Sequence, residues 1–247
     1  MVDVVGIIPA RYGAKRLPGK PLALIQNRPM IQHVYERAAR ATSLQQVVVA
    51  TDDSRIQQAV ARFDGEVIMT SRDHVSGTDR VAEAARQLML SDHAIVVNIQ
   101  GDEPLLRTEM IDSLVETLKV KGDVDMATLA HPGTDSDDFR DPAVVKVVLD
   151  AQGRALYFSR APIPTPREVS SVPQYYKHLG FYGYRNGFLQ KFTALSPGAL
   201  ERQEKLEQLR ALEHGYHISV IITSHDSISV DTPEDLALVQ NILKDAD

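Results

Sequence analysis

The stretch Val4-Val5-Gly6-Ile7-Ile8-Pro9-Ala10-Arg11 is a short apolar run that stops abruptly at a proline and an arginine. Similar runs at 47–50 and 95–99 are also followed at once by polar residues. Runs of this length and composition predict buried strands. The segments 30–38, 56–63 and 81–88 place apolar residues three and four apart, as amphipathic helices do. This alternation predicts a single α/β domain with a parallel sheet covered by helices on both faces.

Ligands of such sheets bind at the carboxyl ends of the strands, so the residues just after each run matter most. We interpret four segments as strand exits: 9–11, 51–53, 100–104 and 230–233. Three of them contain carboxylates. The exits therefore predict where the polar residues of a functional site gather.

The middle of the chain has a different character, with an acidic stretch at 135–138 and prolines at 162, 164, 166 and 173. We interpret residues 131–204 as an insertion and not as a separate domain. Within and after it, 175–184 resembles a strand, and 201–212 predicts one helix with three leucines on one face. The last helix is predicted to begin with Thr232 as cap, Pro233 in the first position and Asp235 in a capping box.

Composition limits the classes of function. The 247 residues are 43% hydrophobic and 24% charged, which is ordinary for a globular protein. The chain has no cysteine, which excludes disulfides, thiolate metal sites and a cysteine nucleophile, and suits the reducing cytoplasm. No apolar run approaches the roughly 20 residues of a membrane span, so we expect a soluble, non-exported protein without membrane insertion. The net charge of -6 disfavours nucleic acid as the main partner.

The first strand exit leads into a loop, residues 11–20, that predicts anion binding. Gly13 and Gly19 let backbone amides approach a phosphate chain, while Arg11, Arg16 and Lys20 supply positive charge. A solvated basic turn is the alternative, but the position after a buried strand favours the anion. The loop is not a Walker A motif, because five residues separate its glycines and Pro21 replaces the Ser/Thr. The GxGxxG fingerprint of dinucleotide-binding proteins is missing too.

Two aspartates are candidate metal ligands. Asp102 follows the run 95–99 and has the chemistry to hold Mg²⁺ against phosphates, although an aspartate that only caps a turn would look the same. Asp231 leaves the same two interpretations open. Spacing alone does not bring the two residues together.

Several other polar residues have a functional and a structural interpretation. Residues 72–79 suit recognition of a base or ribose, with Thr78 as an ordinary helix N-cap. Arg160 closes an apolar run and pairs either with a substrate carboxylate or with an internal acid. Glu207 with Arg210 is compatible with a surface pair, and His178 with a structural role.

Eight segments in order add a resemblance: IPARYGAKRLPGKPL, VATDD, TSRDHVSGTDR, VNIQGDEPL, ALYFSRAPIP, YKHLGFYGY, LEQLRALE and SVDTPEDL. Together they closely resemble the 3-deoxy-manno-octulosonate (KDO) cytidylyltransferases, or CMP-KDO synthetases, over essentially the whole chain. The opening motif is shared widely among sugar nucleotidyltransferases, whereas QGDEP, ALYFSR, LEQLR and VDTPEDL together are more specific.

The resemblance implies a Rossmann-like nucleotide-diphospho-sugar transferase fold with a mixed, mostly parallel sheet. It also implies CTP and KDO as substrates, CMP-KDO for lipopolysaccharide synthesis as product, Mg²⁺ as cofactor, and a homodimer built partly through the insertion. The runners-up are a cytidylyltransferase for 8-amino-KDO or sialic acid, a nucleotide-binding protein without turnover, and a glycosyltransferase that consumes a finished nucleotide sugar.

The resemblance also implies a role for each matching position. The catalytic positions are Arg11, Lys20, Asp102 and Asp231, and the two aspartates are the metal ligands. The nucleotide positions are Pro9, Ala10, Arg11, Arg16, Lys20, Arg72, Ser76, Gly77 and Gln100. The positions around the acidic sugar are Gln100, Arg160, His178, Glu207 and Gln208, with Arg160 as the carboxylate clamp.

Overall fold

The computed structural model describes residues 3–13, 16–168 and 174–244. Lys15, one of the two lysines of the loop 11–20, and Pro173 of the proline-rich segment lie outside the described residues. No helix within these ranges is long and apolar enough to cross a membrane.

The strands, in chain order, are β1 (Val4–Ala10), β2 (Leu24–Ile25), β3 (Arg28–Pro29), β4 (Gln46–Thr51), β5 (Glu66–Met69), β6 (Ile95–Asn98), β7 (Met126–Gly133), β8 (Lys146–Leu149), β9 (Ala155–Ser159), β10 (Tyr175–Arg185) and β11 (Ser219–Ile222). The helices are α1 (Met30–Ala38), α2 (Ser54–Ala61), α3 (Gly77–Gln87), α4 (Thr108–Val120), α5 (Ser136–Arg140), α6 (Asn186–Ala194), α7 (Ala199–Glu204), α8 (Leu209–Glu213) and α9 (Pro233–Lys244).

The main sheet has the order β11-β7-β10-β6-β1-β4-β5. Strand β1 lies between β4 and β6 and is parallel to both, so the carboxyl ends of these three strands meet at one edge. Strand β10 runs antiparallel between β6 and β7, and β8 with β9 branches from it. The mixed, mostly parallel sheet is confirmed. The limits of the insertion, 131–204, stay a prediction, since β10 belongs to the main sheet.

Helices cover both faces of the sheet, as the periodicity predicted. Apolar residues of α1, α2 and α4 pack on one face, and those of α3, α6 and α8 pack on the other. A smaller cluster joins the β2–β3 hairpin to α9, where Val239 and Leu243 contact Ile25 and Met30. Gln240 Nε2 also donates to the Leu24 carbonyl at 2.9 Å. The last helix is therefore fastened beside the segment that follows the loop 11–20.

Two predictions about helix and strand boundaries are wrong. Residues 201–212 form the helices α7 and α8 instead of one helix, because Lys205 adopts a left-handed conformation with φ 55. Residues 223–230 form no strand, so Asp231 does not follow a strand exit. By contrast, the start of α9 is as predicted, with Thr232 and Asp235 exchanging hydrogen bonds at 2.8 and 3.2 Å.

Candidate active site

A cavity of about 470 Å³ opens at the carboxyl ends of β1 and β6. The predicted site residues that line it are Pro9, Ala10, Arg11, Arg16, Lys20, Ser76, Gly77, Gln100, Asp102 and Asp231. Residues from the beginning, middle and end of the chain thus meet in one cavity, which also includes Gly13, Pro21, Arg80 and Gly101. Their individual roles stay predictions.

The loop 11–20 folds back on itself, so that Gly19 lies against Tyr12. Gly19 has φ 70, a left-handed conformation that favours glycine, and its N–H donates to the Tyr12 carbonyl at 3.1 Å. A Cβ at this position would lie 3.2 Å from the Tyr12 ring. Gly19 is therefore needed for the close approach that brings Lys20 back to the cavity.

Tyr12 also contacts Arg55, which lies in α2 just after the end of β4. The guanidinium of Arg55 lies 3.3 Å from the centre of the Tyr12 ring. Arg55 also pairs with Asp53 at 2.6 Å, and its hydrogen bond lowers the pKa of that carboxyl to about 2. This stack attaches the loop to the segment that follows β4.

Lys20 lies between the two predicted metal ligands. Its Nζ donates to Asp102 at 2.6 Å and to Asp231 at 2.9 Å, and Arg16 pairs with Asp231 at 2.8 Å. Burial alone would lower the pKa of Lys20, but the two carboxylates outweigh that effect and raise it. The ammonium group is therefore charged near neutral pH and neutralises the aspartates.

The position of this ammonium group tests whether Asp102 and Asp231 suit a divalent cation. Both carboxylates lie within 3 Å of one positive charge, so their oxygens converge on a common point. Hard cations such as Mg²⁺ take carboxylate oxygens, and a nucleotide site uses one or two of them together with phosphate oxygens. No cluster of three or more potential metal ligands occurs among the described residues. The pair fits Mg²⁺ held jointly with phosphates.

A non-strand arm, residues 223–230, brings Asp231 to Asp102. The N–H of Val230 donates to the Asp102 carbonyl at 2.8 Å, and the Val230 side chain is fully buried. Further along the arm, the Ser227 hydroxyl donates to Glu103. These contacts explain how two residues far apart in sequence share one site.

Glu103 was not among the predicted site residues. Its side chain is buried, and this burial raises its pKa to about 8, although the hydrogen bond from Ser227 opposes the shift. Glu103 is thus mainly protonated near neutral pH and adds little negative charge beside Asp102. Its place next to Asp102 in the segment 100–104 was the only sequence signal for it.

Arg80 was missed as well. It lines the cavity yet is almost fully buried, with its guanidinium bonded to Thr70 and to the Ser71 carbonyl. It also lies 3.3 Å from Asp52, at the exit of β4. Asp52, a carboxylate of the predicted strand exit 51–53, therefore forms an ion pair with Arg80 in the cavity wall.

The start of α3 corrects the interpretation of Thr78 as the N-cap. Ser76 is the cap, its hydroxyl accepting from the Asp79 N–H at 3.1 Å and the Asp79 carboxylate accepting from the Ser76 N–H at 3.1 Å. Ser76 and Gly77 thereby present the amino end of a helix to the cavity, where anions bind favourably. Arg72 is exposed on the same loop and does not line the cavity.

Gln100 connects the cavity to β10. Its Nε2 donates to the Gly180 carbonyl at 2.7 Å. In the same strand, the His178 ring packs against Phe158 and Tyr182, and burial lowers its pKa to about 3. The single proton of the Thr128 hydroxyl serves the Phe181 carbonyl at 2.7 Å, so His178 Nε2 donates to Thr128 at 3.0 Å. His178 is therefore neutral.

The other residues predicted around the sugar do not line the cavity. Glu207 and Gln208 lie at the start of α8, and Arg210 is buried and paired with Glu201 at 2.5 Å, so Glu207 with Arg210 is not a surface pair. Arg160 donates to the carbonyls of Glu204 at 2.7 Å and Pro142 at 2.8 Å. Their part in sugar binding stays a prediction.

A basic loop, a helix amino end and a pair of aspartates at the carboxyl edge of an α/β sheet define a nucleotide-binding enzyme of the phosphate-transferring kind. Comparison with known proteins makes this specific. A family described as Cytidylyltransferase matches residues 5–220. The chain belongs to this cytidylyltransferase family.

Individual relatives cover nearly the whole chain. The 3-deoxy-manno-octulosonate cytidylyltransferase of Syntrophobacter fumaroxidans is 58% identical over 97% of this chain and 96% of its own. The 8-amino-3,8-dideoxy-manno-octulosonate cytidylyltransferase of Shewanella amazonensis is 52% identical over 98% and 99%. A solved structure of CMP:2-keto-3-deoxy-manno-octonic acid synthetase in complex with CTP superimposes with a TM-score of 0.93 at 42% identity, covering 99% of both chains.

Proposed function

We propose that this protein transfers CMP from CTP to KDO, which gives CMP-KDO and pyrophosphate and activates KDO for lipopolysaccharide synthesis. The observation that carries the proposal is the meeting of Lys20, from the phosphate-binding loop, with Asp102 and Asp231. The names of relatives that match over nearly the full chain support CTP and KDO as the substrates.

The nucleotide end of the reaction rests on the cavity lining. The base and ribose bind at Pro9, Ala10, Ser76 and Gly77, which line the cavity, and we also assign Arg72, on the exposed loop before α3, to nucleotide binding. The triphosphate lies along the loop 11–20, where Arg11, Arg16 and Lys20 neutralise the charge that accumulates as pyrophosphate departs.

Asp102 and Asp231 would hold Mg²⁺, which supplies charge neutralisation at phosphate oxygens and makes a nearby hydroxyl easier to ionise. The anomeric oxygen of KDO attacks the α-phosphorus and its proton passes to solvent water, while the bond between the α-phosphorus and the bridging oxygen breaks and releases pyrophosphate. No covalent enzyme intermediate forms. The protein contributes positioning and preorganised charge.

The sugar end rests on residues beside the cavity. Gln100 lies in the lining and is bonded to β10, the strand that also contains the neutral His178 ring. Glu207 and Gln208 lie at the start of α8. Arg160 is the clamp for the sugar carboxylate, because a guanidinium binds a carboxylate through two parallel hydrogen bonds.

The proposal includes a cytoplasmic location and a homodimer. A largely apolar groove of about 480 Å³ lies on the segment 131–204 and its neighbour β7, between Pro132, Val147, Leu149, Pro164 and Tyr176. A second copy of the chain would cover this apolar surface. Light scattering after gel filtration tests the dimer, and a monomer at working concentration would remove it from the proposal.

A pyrophosphate-release assay with CTP, Mg²⁺ and KDO tests the reaction. Asp102→Asn should nearly abolish turnover while circular dichroism shows an intact fold. A folded Asp102→Asn protein with near wild-type turnover would take Asp102 out of the mechanism. No pyrophosphate release from the wild type with any acidic sugar would refute the proposed function.

The identity of the sugar has one competing candidate. A relative named for 8-amino-3,8-dideoxy-manno-octulosonate is 52% identical, which lies between the 58% and 51% of relatives named for KDO. The same assay run in parallel with KDO, 8-amino-KDO and sialic acid separates the cases, since the preferred sugar gives the highest kcat/KM.

A further inference from the structure

The hydroxyl of Thr78 is not used by the helix in which it lies. Ser76 and Asp79 complete the capping box of α3, so Thr78, in the first turn, is not needed as a cap. Its side chain is nevertheless almost fully buried, and its Oγ1 donates to Glu207 Oε2 at 2.5 Å. The hydrogen bond joins the start of α3 to the start of α8.

The second oxygen of that carboxylate has no partner. Glu207 Oε1 is buried and forms no hydrogen bond with any part of the chain that the structure describes. The closest cation, Arg210, lies 3.7 Å from it and is bonded instead to Glu201 at 2.5 and 2.8 Å. A buried acceptor without a donor is costly, which is typical of an oxygen that awaits a ligand.

From these contacts we infer that Thr78 is a positioning residue. Its hydroxyl holds Glu207 so that the unbonded carboxylate oxygen accepts a hydrogen bond from a hydroxyl group of the acidic sugar. The inference rests on the proposed function, in which Glu207 contacts the sugar. The start of α3 would then serve both substrates. Ser76 and Gly77 line the nucleotide cavity, and the next residue, Thr78, orients Glu207 toward the sugar.

The charge state of Glu207 provides a readout that a purely structural role would not change. Burial raises the pKa of Glu207, and the hydrogen bond from Thr78 and the neighbouring Ser76 hydroxyl oppose that rise. The groups that face it are Arg210 of α8, Asp79 of α3, and the Tyr182 and Tyr184 rings of β10. Loss of the Thr78 hydroxyl therefore raises the pKa of Glu207 further and leaves less carboxylate near neutral pH.

The test compares Thr78→Val, which keeps the shape but loses the hydroxyl, with Thr78→Ser, which keeps the hydroxyl. Thr78→Val should raise the KM for KDO roughly tenfold, as expected for a lost hydrogen bond to a charged group, with the KM for CTP nearly unchanged. The acidic limb of kcat/KM for KDO should move to higher pH. Thr78→Ser should restore both values.

A matched control is Thr193→Val, since within the described residues the Thr193 hydroxyl bonds only to the Leu189 and Gln190 carbonyls of its own helix. It should change neither KM nor the pH profile. An equal rise in both KM values for Thr78→Val, an unmoved acidic limb, or no rescue by serine would overturn the inference. The variant Glu207→Gln distinguishes the sugar-binding role of Glu207 from the positioning role of Thr78. If it leaves the KM for KDO unchanged, the proposed sugar role of Glu207 fails. If it raises that KM and Thr78→Val does not, only the role of Thr78 fails.

Discussion

Replacing Lys20 with methionine should strengthen the binding of a divalent cation while it damages catalysis. The Lys20 ammonium lies 2.6 Å from Asp102 and 2.9 Å from Asp231, so it competes with a metal ion for the same oxygens. Methionine keeps most of the length and apolar contact of the side chain. It removes only the competitor and leaves two facing carboxylates that repel each other.

The magnitude follows from the bonds that are lost. A hydrogen bond involving a charged group contributes about 1.5–3 kcal/mol, and we take one such bond as the net effect because water rehydrates the freed carboxylates. Since about 1.4 kcal/mol corresponds to a factor of ten in affinity, the dissociation constant for Mn²⁺ should fall about tenfold to hundredfold. The kcat should fall at least about a hundredfold, because the charge that stabilises departing pyrophosphate is gone.

Titration of the nucleotide-free protein with Mn²⁺, followed by electron paramagnetic resonance, measures this affinity without turnover. Arg16→Met is the control: Arg16 contacts only Asp231 of the pair and its side chain is 65% exposed, so the gain should be small. Equal or weaker Mn²⁺ binding by Lys20→Met would refute the view that Lys20 occupies the cation position.

Two further changes test other parts of the site. Arg160→Ala should raise the KM for KDO much more than the KM for CTP, and steady-state kinetics showing equal effects would count against the carboxylate clamp. Glu103→Gln should flatten the pH dependence of stability: the folded pKa of about 8 lies above the usual 4.5, so the contribution of Glu103 is complete below about pH 4.5 and is lost as pH rises to 8. Urea denaturation at both ends of this range measures it, and an unchanged pH dependence would contradict the buried, protonated state of Glu103.

The layers of the fold were predictable because they depend on local periodicity. The apolar runs at 4–8, 47–50 and 95–99 and the helices between them read directly from spacing, and the structure confirms each of them. The direction of β10 was not readable, because an antiparallel strand between two others is chosen by pairing with β6 and β7 and not by its own residues.

The two wrong predictions of helix and strand boundaries arose where tertiary contacts override a local pattern. The leucine spacing across 201–212 suits one helix, but Glu213 accepts hydrogen bonds from the N–H groups of Leu200 and Glu201 and so ties α8 back to the start of α7. The apolar residues Ile228 and Val230 resemble the end of a strand in sequence, but they lie in the non-strand segment 223–230 and pack in the small apolar cluster beside α9. By contrast, the capping box Ser76-x-x-Asp79 is a local pattern that the sequence itself contains, and it identifies Ser76 instead of Thr78 as the N-cap.

The site residues also differ in whether local sequence or tertiary contacts determine them. Arg11 and Lys20 could be inferred from the loop alone, since basic residues and glycines after a buried strand predict anion binding wherever they occur. The partnership of Asp102 with Asp231 could not, because it depends on the arm 223–230 and on a backbone hydrogen bond from Val230.

The fastening of α9 beside the β2–β3 hairpin has a consequence for biosynthesis. A nascent chain on the ribosome has already made the loop 11–20, the central strands β1, β4 and β6, and Asp102, while Asp231 is not yet translated. During that interval Asp102 is the single aspartate of the pair that Lys20 can contact, and the second carboxylate of the proposed cation site is missing. The paired carboxylates therefore form only after residue 231 has been translated, so a chain that ends before Asp231 lacks one of the two oxygens that converge on Lys20.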